Sequence, residues 1–152
     1  MKAKLSEFKH IVRIADTDLD GTLKVAYALS RIRGIGITLA YAIARLTGID
    51  PNARLGSLSD ADLKKLEEAV RNVSSLGLPA YMLNRRKDPE TGRDLHLIGS
   101  DLVMAVKLDV DRLKKIKCWR GIRHALGLKV RGQCTKTTGR FGKTVGVTRK
   151  AK

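Results

Sequence analysis

Apolar residues recur at helical spacing in five segments of the chain, separated by short polar stretches. This spacing predicts helices over residues 22–33, 38–47, 59–73, 101–117 and 119–126. Ahead of them, residues 8–14 form a β-branched run that predicts a short extended segment, followed by a polar turn at residues 16–21. The pattern therefore favours a mainly α fold with one extended segment near its start.

Polar residues and glycine at the ends of these segments support the predicted boundaries. Thr22 and Ser59 are placed to cap the first and third helices, and Ser100 with Asp101 to cap the fourth. Gly48 follows the second helix, where glycine commonly ends a helix. The core is expected to be aliphatic, because aromatic residues make up only 4% of the chain.

The fourth predicted helix carries an apolar stripe that we expect to be buried. The stripe consists of Leu102, Ala105, Val106, Val110, Leu113 and Ile116. Trp119 follows it, and packing beside this helix is favoured over stacking on a nucleic-acid base. These residues are therefore predicted to belong to the core.

Two segments lack helical periodicity and divide the chain. Residues 75–100 are punctuated by glycine and proline and carry a basic cluster, so we expect an extended surface loop with a function or a partner. Residues 128–152 show neither helical nor strand period. The predicted organisation is a helical globular domain over 1–127, with the loop inserted at about 75–100, and an extended basic tail over 128–152.

Charge is strongly segregated along the chain. The formal net charge is +16, and residues 112–152 hold 14 lysines and arginines without any carboxylate. Such a self-repelling segment is poorly suited to fold alone, and its natural counterion is a polyphosphate backbone. The distribution therefore predicts a nucleic-acid-binding protein.

Two glycines, Gly34 and Gly36, stand between the first two predicted helices. They allow a tight turn whose backbone amides approach a phosphate at the start of the second helix. The same glycines also fit an ordinary corner between helices, and the turn alone does not decide between the two. A free DNA-binding helix–hairpin–helix module therefore remains an alternative function.

The sequence offers no pattern typical of catalysis, metal binding or membrane insertion. Its two cysteines and three histidines form no C-x-x-C pair, and Tyr27 occupies the position where a calcium loop starting at Asp16 needs glutamate. Nucleotide-phosphate and nucleophile motifs are absent. We therefore expect no catalytic residues, no metal or other cofactor, no small-molecule substrate and no membrane partner. The sparse cysteines fit a reducing cytosol.

One run of residues resembles the signature of a known family. It reads Arg120-Gly-Ile-Arg-His124, then Gly127, then Val130-Arg-Gly-Gln133, and it continues through Thr135-Lys-Thr137. It resembles universal small-subunit ribosomal protein thirteen, which is numbered eighteen in eukaryotes. The Gly34–Gly36 turn resembles the globular part of that family, and the 75–100 insertion is typical of its archaeal and eukaryotic branch. Within that branch, the compact length and the Asp18-Leu-Asp-Gly21 segment favour an archaeal type.

The resemblance implies a structural role inside the cytoplasmic ribosome. The family folds as a helix–two-turns–helix domain with an extended tail, and it lies in the small-subunit head. It binds small-subunit rRNA, takes part in an intersubunit bridge with a large-subunit protein, and neighbours small-subunit ribosomal protein nineteen. Its tail approaches the peptidyl-site tRNA.

Carried onto this sequence, the resemblance and the basic composition single out two sets of residues. The rRNA-binding set is Gly34, Gly36, Arg120, Arg123, His124, Arg131, Gln133, Thr135, Lys136, Thr137 and Arg140. The tRNA-proximal set is Lys143, Arg149, Lys150 and Lys152. Arginine supplies forked donors for phosphate, and threonine and glutamine add neutral hydrogen bonds.

Overall fold

In a computed structural model of the protein, residues 8–136 are described, and they form five α-helices and a two-stranded sheet. In chain order these are β1 (Ile11–Ile14), β2 (Thr17–Asp20), α1 (Val25–Leu29), α2 (Ile37–Leu46), α3 (Asp60–Arg71), α4 (Gly99–Lys115) and α5 (Trp119–Ala125). The predicted mainly helical fold is confirmed. The chain divides into two compact units, Met1–Met104 and Ala105–Lys152. The expected boundary between domain and tail at 127/128 stays a prediction.

Strands β1 and β2 form an antiparallel hairpin in which Val12 lies opposite Leu19. Val12 and Ile14 are buried, so alternate residues of β1 face the core. The connecting residues Ala15 and Asp16 have φ values of 46° and 60°, which a two-residue turn between twisted strands requires. The sequence analysis missed β2, because this turn lacks the glycine that usually marks such a hairpin.

The core of the Met1–Met104 unit is aliphatic, as expected. Its largest fully buried side chains are Ile14, Val25, Leu19, Leu29, Ile32, Ile43, Leu55, Leu66, Val70 and Val73. Helix α1 packs against α2, α2 against α3, and α3 against β1. Each fully buried side chain of this size contributes about 1.5–3 kcal/mol through removal of apolar surface from water. Leu66, Val70 and Val73, which lie at helical spacing within the predicted helix 59–73, are therefore part of the core.

Helix α1 is much shorter than predicted and does not begin at Thr22. The Thr22 hydroxyl donates to the Asp20 carboxylate at 2.7 Å, which holds this residue in the turn after β2. The carbonyl of Leu23 accepts a hydrogen bond from the amide of Leu55 at 3.0 Å. Because these residues bond outside the helix, α1 starts only at Val25.

The other predicted caps have mixed outcomes. The Ser59 hydroxyl accepts a hydrogen bond from the amide of Asp62 at 3.2 Å, so the predicted cap of α3 is confirmed. Helix α4 starts at Gly99. Ser100 and Asp101 therefore lie in its first turn, and the predicted cap at that point is wrong. The carboxylate of Asp101 still lies where the helix dipole favours negative charge.

Residues 76–98, between α3 and α4, form an irregular surface loop that is held by its own hydrogen bonds. The Asn84 side chain accepts from the amide of Leu97 at 2.9 Å and donates to the carbonyl of the same residue. The Asp88 carboxylate, only 7% exposed, accepts from Arg85 at 2.6 Å and from the Thr91 hydroxyl at 2.9 Å. The loop is therefore internally ordered, rather than extended as we expected.

The expected full burial of the α4 stripe and of Trp119 is wrong, although Leu102, Ala105, Val110 and Leu113 of the stripe are half-buried. Helix α4 has no buried residue, and Val106 and Ile116 are 53% and 66% exposed. Trp119 is 70% exposed. Within residues 105–136 the other helix is the seven-residue α5, which is too small to cover these side chains. The amphipathic pattern of α4 therefore identified its apolar face correctly but did not show which part of the protein, or which partner, covers that face.

Candidate nucleic-acid interface

Gly34, in the turn between α1 and α2, has a packing role. Its φ is +103°, which side-chain-bearing residues rarely adopt. A Cβ added there would lie 2.6 Å from the carbonyl oxygen of Leu97 and 3.2 Å from the Cα of Ile98. Gly34 therefore lets the end of the 76–98 loop pack against the turn, and its predicted contact with rRNA stays a prediction.

Gly36 is the glycine of this turn that faces open space. Its φ is −89°, and a Cβ added there would meet no atom within 4 Å. It precedes α2, whose first hydrogen bond joins the amide of Ala40 to the Gly36 carbonyl at 2.9 Å. The amides of Ile37 and Thr38 lie ahead of that bond, at a helix end that attracts anions. This end of α2 is the part of the turn suited to a phosphate.

Helix α5 begins at a tight corner after α4, built around Cys118 and Gly121. The Cys118 sulfur accepts from the amide of Gly121 at 3.3 Å and donates to the Leu113 carbonyl at 3.5 Å. A Cβ on Gly121 would lie 2.1 Å from that same carbonyl oxygen. The glycine of the Arg-Gly-Ile-Arg-His run therefore serves close packing between helix ends, and this packing positions the basic residues of α5.

The three predicted site residues on α5 have different surroundings. Arg120 is exposed, whereas Arg123 and His124 are half-buried. The Arg123 Nε donates to the carbonyl of Lys129 at 2.9 Å, and its guanidinium lies 5.6 Å from the centre of the Trp119 ring. Arg120 is thus open to a phosphate, while Arg123 also holds the start of the segment that follows α5.

The segment after α5 carries exposed polar and basic side chains. Arg131, Thr135 and Lys136 are exposed. The amide of Arg131 donates to the side-chain oxygen of Gln133 at 2.9 Å. Gln133, which was predicted to contact rRNA, therefore also bends the backbone at this point. The predicted residues Thr137, Arg140, Lys143, Arg149, Lys150 and Lys152 lie outside the described residues.

His96, in the 76–98 loop, is a partly buried group near the glycine turn. Burial lowers the pKa of His96, and a contact with the backbone of Gly34 acts in the opposite direction. Its Nδ1 accepts from the amide of Asn84 at 3.3 Å, which places the proton of the neutral ring on Nε2. The enclosed Nε2 makes no hydrogen bond of normal geometry within residues 8–136, so its contact with Gly34 is a weak one. Burial therefore favours the neutral form of the ring.

The described part of the chain presents hydrogen-bond donors rather than a reaction centre. Within residues 8–136, no three His, Cys, Asp or Glu side chains are arranged to hold a metal ion. Across the same range, no helix has the length and apolar character needed to cross a bilayer. The exposed guanidinium, ammonium, hydroxyl and helix-end amide groups suit phosphate and ribose oxygens.

Comparison with known proteins decides between the alternatives. The profile of the family described as Ribosomal protein S13/S18 matches residues 13–141. The chain belongs to this family.

Three relatives carry the name Small ribosomal subunit protein uS13. The Pyrobaculum calidifontis protein is 67% identical over 144 residues, covering 95% of this chain and 94% of that protein. The Hyperthermus butylicus protein is 60% identical over 141 residues, covering 93% of each. The Saccharolobus solfataricus protein is 56% identical over 144 residues, covering 95% and 87%.

Membership of the S13/S18 family confirms the resemblance seen in the signature run. These relatives are archaeal, in agreement with the archaeal type that the compact length and the Asp18–Gly21 segment favoured. The chain is accordingly a structural ribosomal protein rather than an enzyme, and the alternative of a free DNA-binding module is disfavoured.

Sequence reasoning assigned no site residue to the loop of this S13/S18 protein. In the structure the loop brings Tyr81, Asn84 and His96 beside Gly36, around one cleft. Tyr81 is 75% exposed, and an exposed aromatic residue in a polar loop is the signal that could have drawn attention to it. Its exposure and its neighbours depend on loop folding, which the sequence pattern does not show.

Proposed function

We propose that this protein is a structural constituent of the small-subunit head that binds rRNA mainly through its basic C-terminal third. The observation that carries the proposal is the segregation of charge, with 14 basic residues and no carboxylate over residues 112–152. Just ahead of this segment, the carboxylates of Asp109 and Asp111 lie within salt-bridge distance of Arg112 and Lys114. Residues 112–152 contain no Asp or Glu with which the other lysines and arginines of the segment could pair. Phosphate groups of RNA are therefore suitable counterions for them.

The proposed rRNA contacts form two groups, one in each unit. In the first unit, Gly36 opens the start of α2 to a phosphate, and Gly34 shapes the turn. In the second unit, the proposed contacts lie on α5 and on the residues that follow it: Arg120, Arg123, His124, Arg131, Gln133, Thr135, Lys136, Thr137 and Arg140. Such contacts grip the backbone and position the protein without reading base sequence.

The proposal includes two protein neighbours and one tRNA. The protein neighbours are small-subunit ribosomal protein nineteen and a large-subunit protein at an intersubunit bridge. Support for a protein neighbour comes from the exposed apolar side chains of the second unit, which include Leu108, Ile116, Trp119 and Leu126. Aliphatic side chains gain more from burial against protein than against phosphates. The tRNA contact is assigned to Lys143, Arg149, Lys150 and Lys152.

The test measures how the affinity of the full-length protein for small-subunit head rRNA depends on salt. If about six to ten phosphates are engaged, affinity should fall roughly 10³–10⁵-fold between 50 and 200 mM salt. The double variant Arg131→Ala and Lys136→Ala should bind more weakly and lower the logarithmic slope by about two, close to one per lost contact.

The matched control removes two lysines from the exposed face of α3, as Lys64→Ala with Lys65→Ala. This control changes net charge equally but should leave the slope unchanged, because these lysines lie beside carboxylates of the same helix. A flat salt response of the unaltered protein, or equal effects of the two double variants, would refute the assignment. Circular dichroism should show unchanged helix content in both.

A further inference from the structure

A cleft of about 340 Å³ lies between the start of α2 and the 76–98 loop. Its lining includes Gly36, Thr38, Tyr81, Met82, Asn84 and His96. Small-molecule sites typically begin at roughly 300 Å³, so this volume admits a single nucleobase with part of its sugar. All of these lining residues belong to the first unit.

The wall of the cleft is held in place before any ligand binds. Both polar atoms of the Asn84 side-chain amide are bonded to the backbone of Leu97. One residue further on, the backbones of Arg85 and Leu95 are joined by two hydrogen bonds of 3.1 and 2.8 Å. These two bonds use one N–H and one oxygen acceptor site of the Asn84 amide to position the wall. The preformed wall itself offers shape, stacking and charge for recognition.

Tyr81 supplies the stacking surface. It lies in the short 3₁₀ turn Ala80–Met82, and its side chain is 75% exposed at the edge of the cleft. An exposed aromatic ring beside a preformed cleft is the arrangement on which proteins stack unpaired bases. Tyr27, on α1, is also exposed (51%), but it lines none of the clefts around the loop.

Cationic side chains line two clefts that adjoin this one. One of them shares Asn84 with it and is also lined by Arg86 and Lys87. The other shares Met82 with it and is also lined by Arg45. A stacking residue with cations in adjoining clefts suits an unpaired base whose neighbouring phosphates need positive charge.

We propose that this cleft binds one unpaired nucleotide of small-subunit rRNA. Its base stacks on Tyr81, its own phosphate lies toward the backbone amide of Thr38, and the neighbouring phosphates lie toward Arg45 and Arg86. The inference rests on the proposed rRNA-binding function. It adds a second RNA contact, made by the loop inserted between α3 and α4.

The test uses the full-length protein and a transcript of the small-subunit rRNA head domain as the probe. Tyr81→Ala should weaken binding roughly 5- to 150-fold, the range that one base–aromatic stack spans. Tyr81→Phe, which keeps the ring, should bind like the unaltered protein. Tyr27→Ala is the matched control, because it removes an exposed tyrosine that lines none of these three clefts.

Chemical probing of the same complexes gives a second readout that a purely structural role would not produce. An unpaired base that the unaltered protein and Tyr81→Phe protect from dimethyl sulfate should become reactive with Tyr81→Ala, while other protections persist. In assembled small subunits, a photoreactive benzoylphenylalanine replacing Tyr81 should cross-link to rRNA.

Three results would overturn the proposal. The first is that Tyr81→Ala changes neither the affinity for rRNA nor the protection of the base, while the unaltered protein binds rRNA. This result would leave the proposed function intact. The second is equal loss with Tyr81→Phe and Tyr81→Ala, which removes the stacking role. The third is a cross-link to protein alone, or none, in the assembled subunit. Failure of the unaltered protein to bind the transcript would instead refute both this inference and the proposed function.

Discussion

Replacing Gly34 or Gly36 of the α1–α2 turn by alanine tests whether Gly34 is needed for close packing while Gly36 faces open space. At Gly34 the new Cβ would lie 2.6 Å from the carbonyl oxygen of Leu97, and φ is +103°. The strained backbone costs about 1–3 kcal/mol, and the forced contact about 1–3 kcal/mol more. Gly34→Ala should therefore destabilise the protein by about 2–6 kcal/mol.

Urea unfolding followed by circular dichroism measures this loss, with Gly36→Ala as the control two residues away. At Gly36 the backbone φ of −89° suits any residue, and a Cβ meets no atom within 4 Å. Alanine there should change stability by less than about 1 kcal/mol, since a modest entropic gain offsets a modest capping loss. Equal stability of the two variants would refute the assignment of a packing role to Gly34.

Three further predictions concern the core and the loop. Leu66→Ala should cost about 2–5 kcal/mol in urea unfolding, because Leu66 is fully buried, and a loss below about 1 kcal/mol would contradict the core assignment. Asp88→Asn should speed hydrogen exchange of loop amides, because Asp88 accepts from Arg85 and Thr91; unchanged exchange would show that other contacts hold the loop. Burial lowers the pKa of His96 from its ordinary 6.5, so the folded state binds fewer protons and stability should rise as pH increases toward 6.5. His96→Gln should flatten that rise, and an unchanged pH profile would exclude His96 as its source.

The sequence pattern predicted the helices whose apolar stripes pack within one unit. Helices α2 and α3 lie within one or two residues of their expected bounds, since their stripes face each other and Ser59 caps α3. It overestimated α1, because hydrogen bonds of Thr22 and Leu23 to other segments compete with the helix. Local periodicity contains no information about such competition.

The candidate interface was predictable where it depends on charge and composition. The exposed Arg120, Arg131 and Lys136 agree with an RNA-binding role that charge segregation alone suggested. The packing roles of Gly34 and Gly121 were not visible, because each depends on a backbone atom brought close by folding, from Leu97 and Leu113 respectively. The loop cleft was missed for the same reason.

A density map of this protein in an assembled small subunit tests the central claim most directly. The account predicts that the chain from Arg112 onward lies along rRNA, with the side chains of Arg120, Arg131 and Lys136 close to phosphate oxygens. A map in which this segment lies in solvent, or against protein alone, would contradict the claim that its charge exists to bind rRNA.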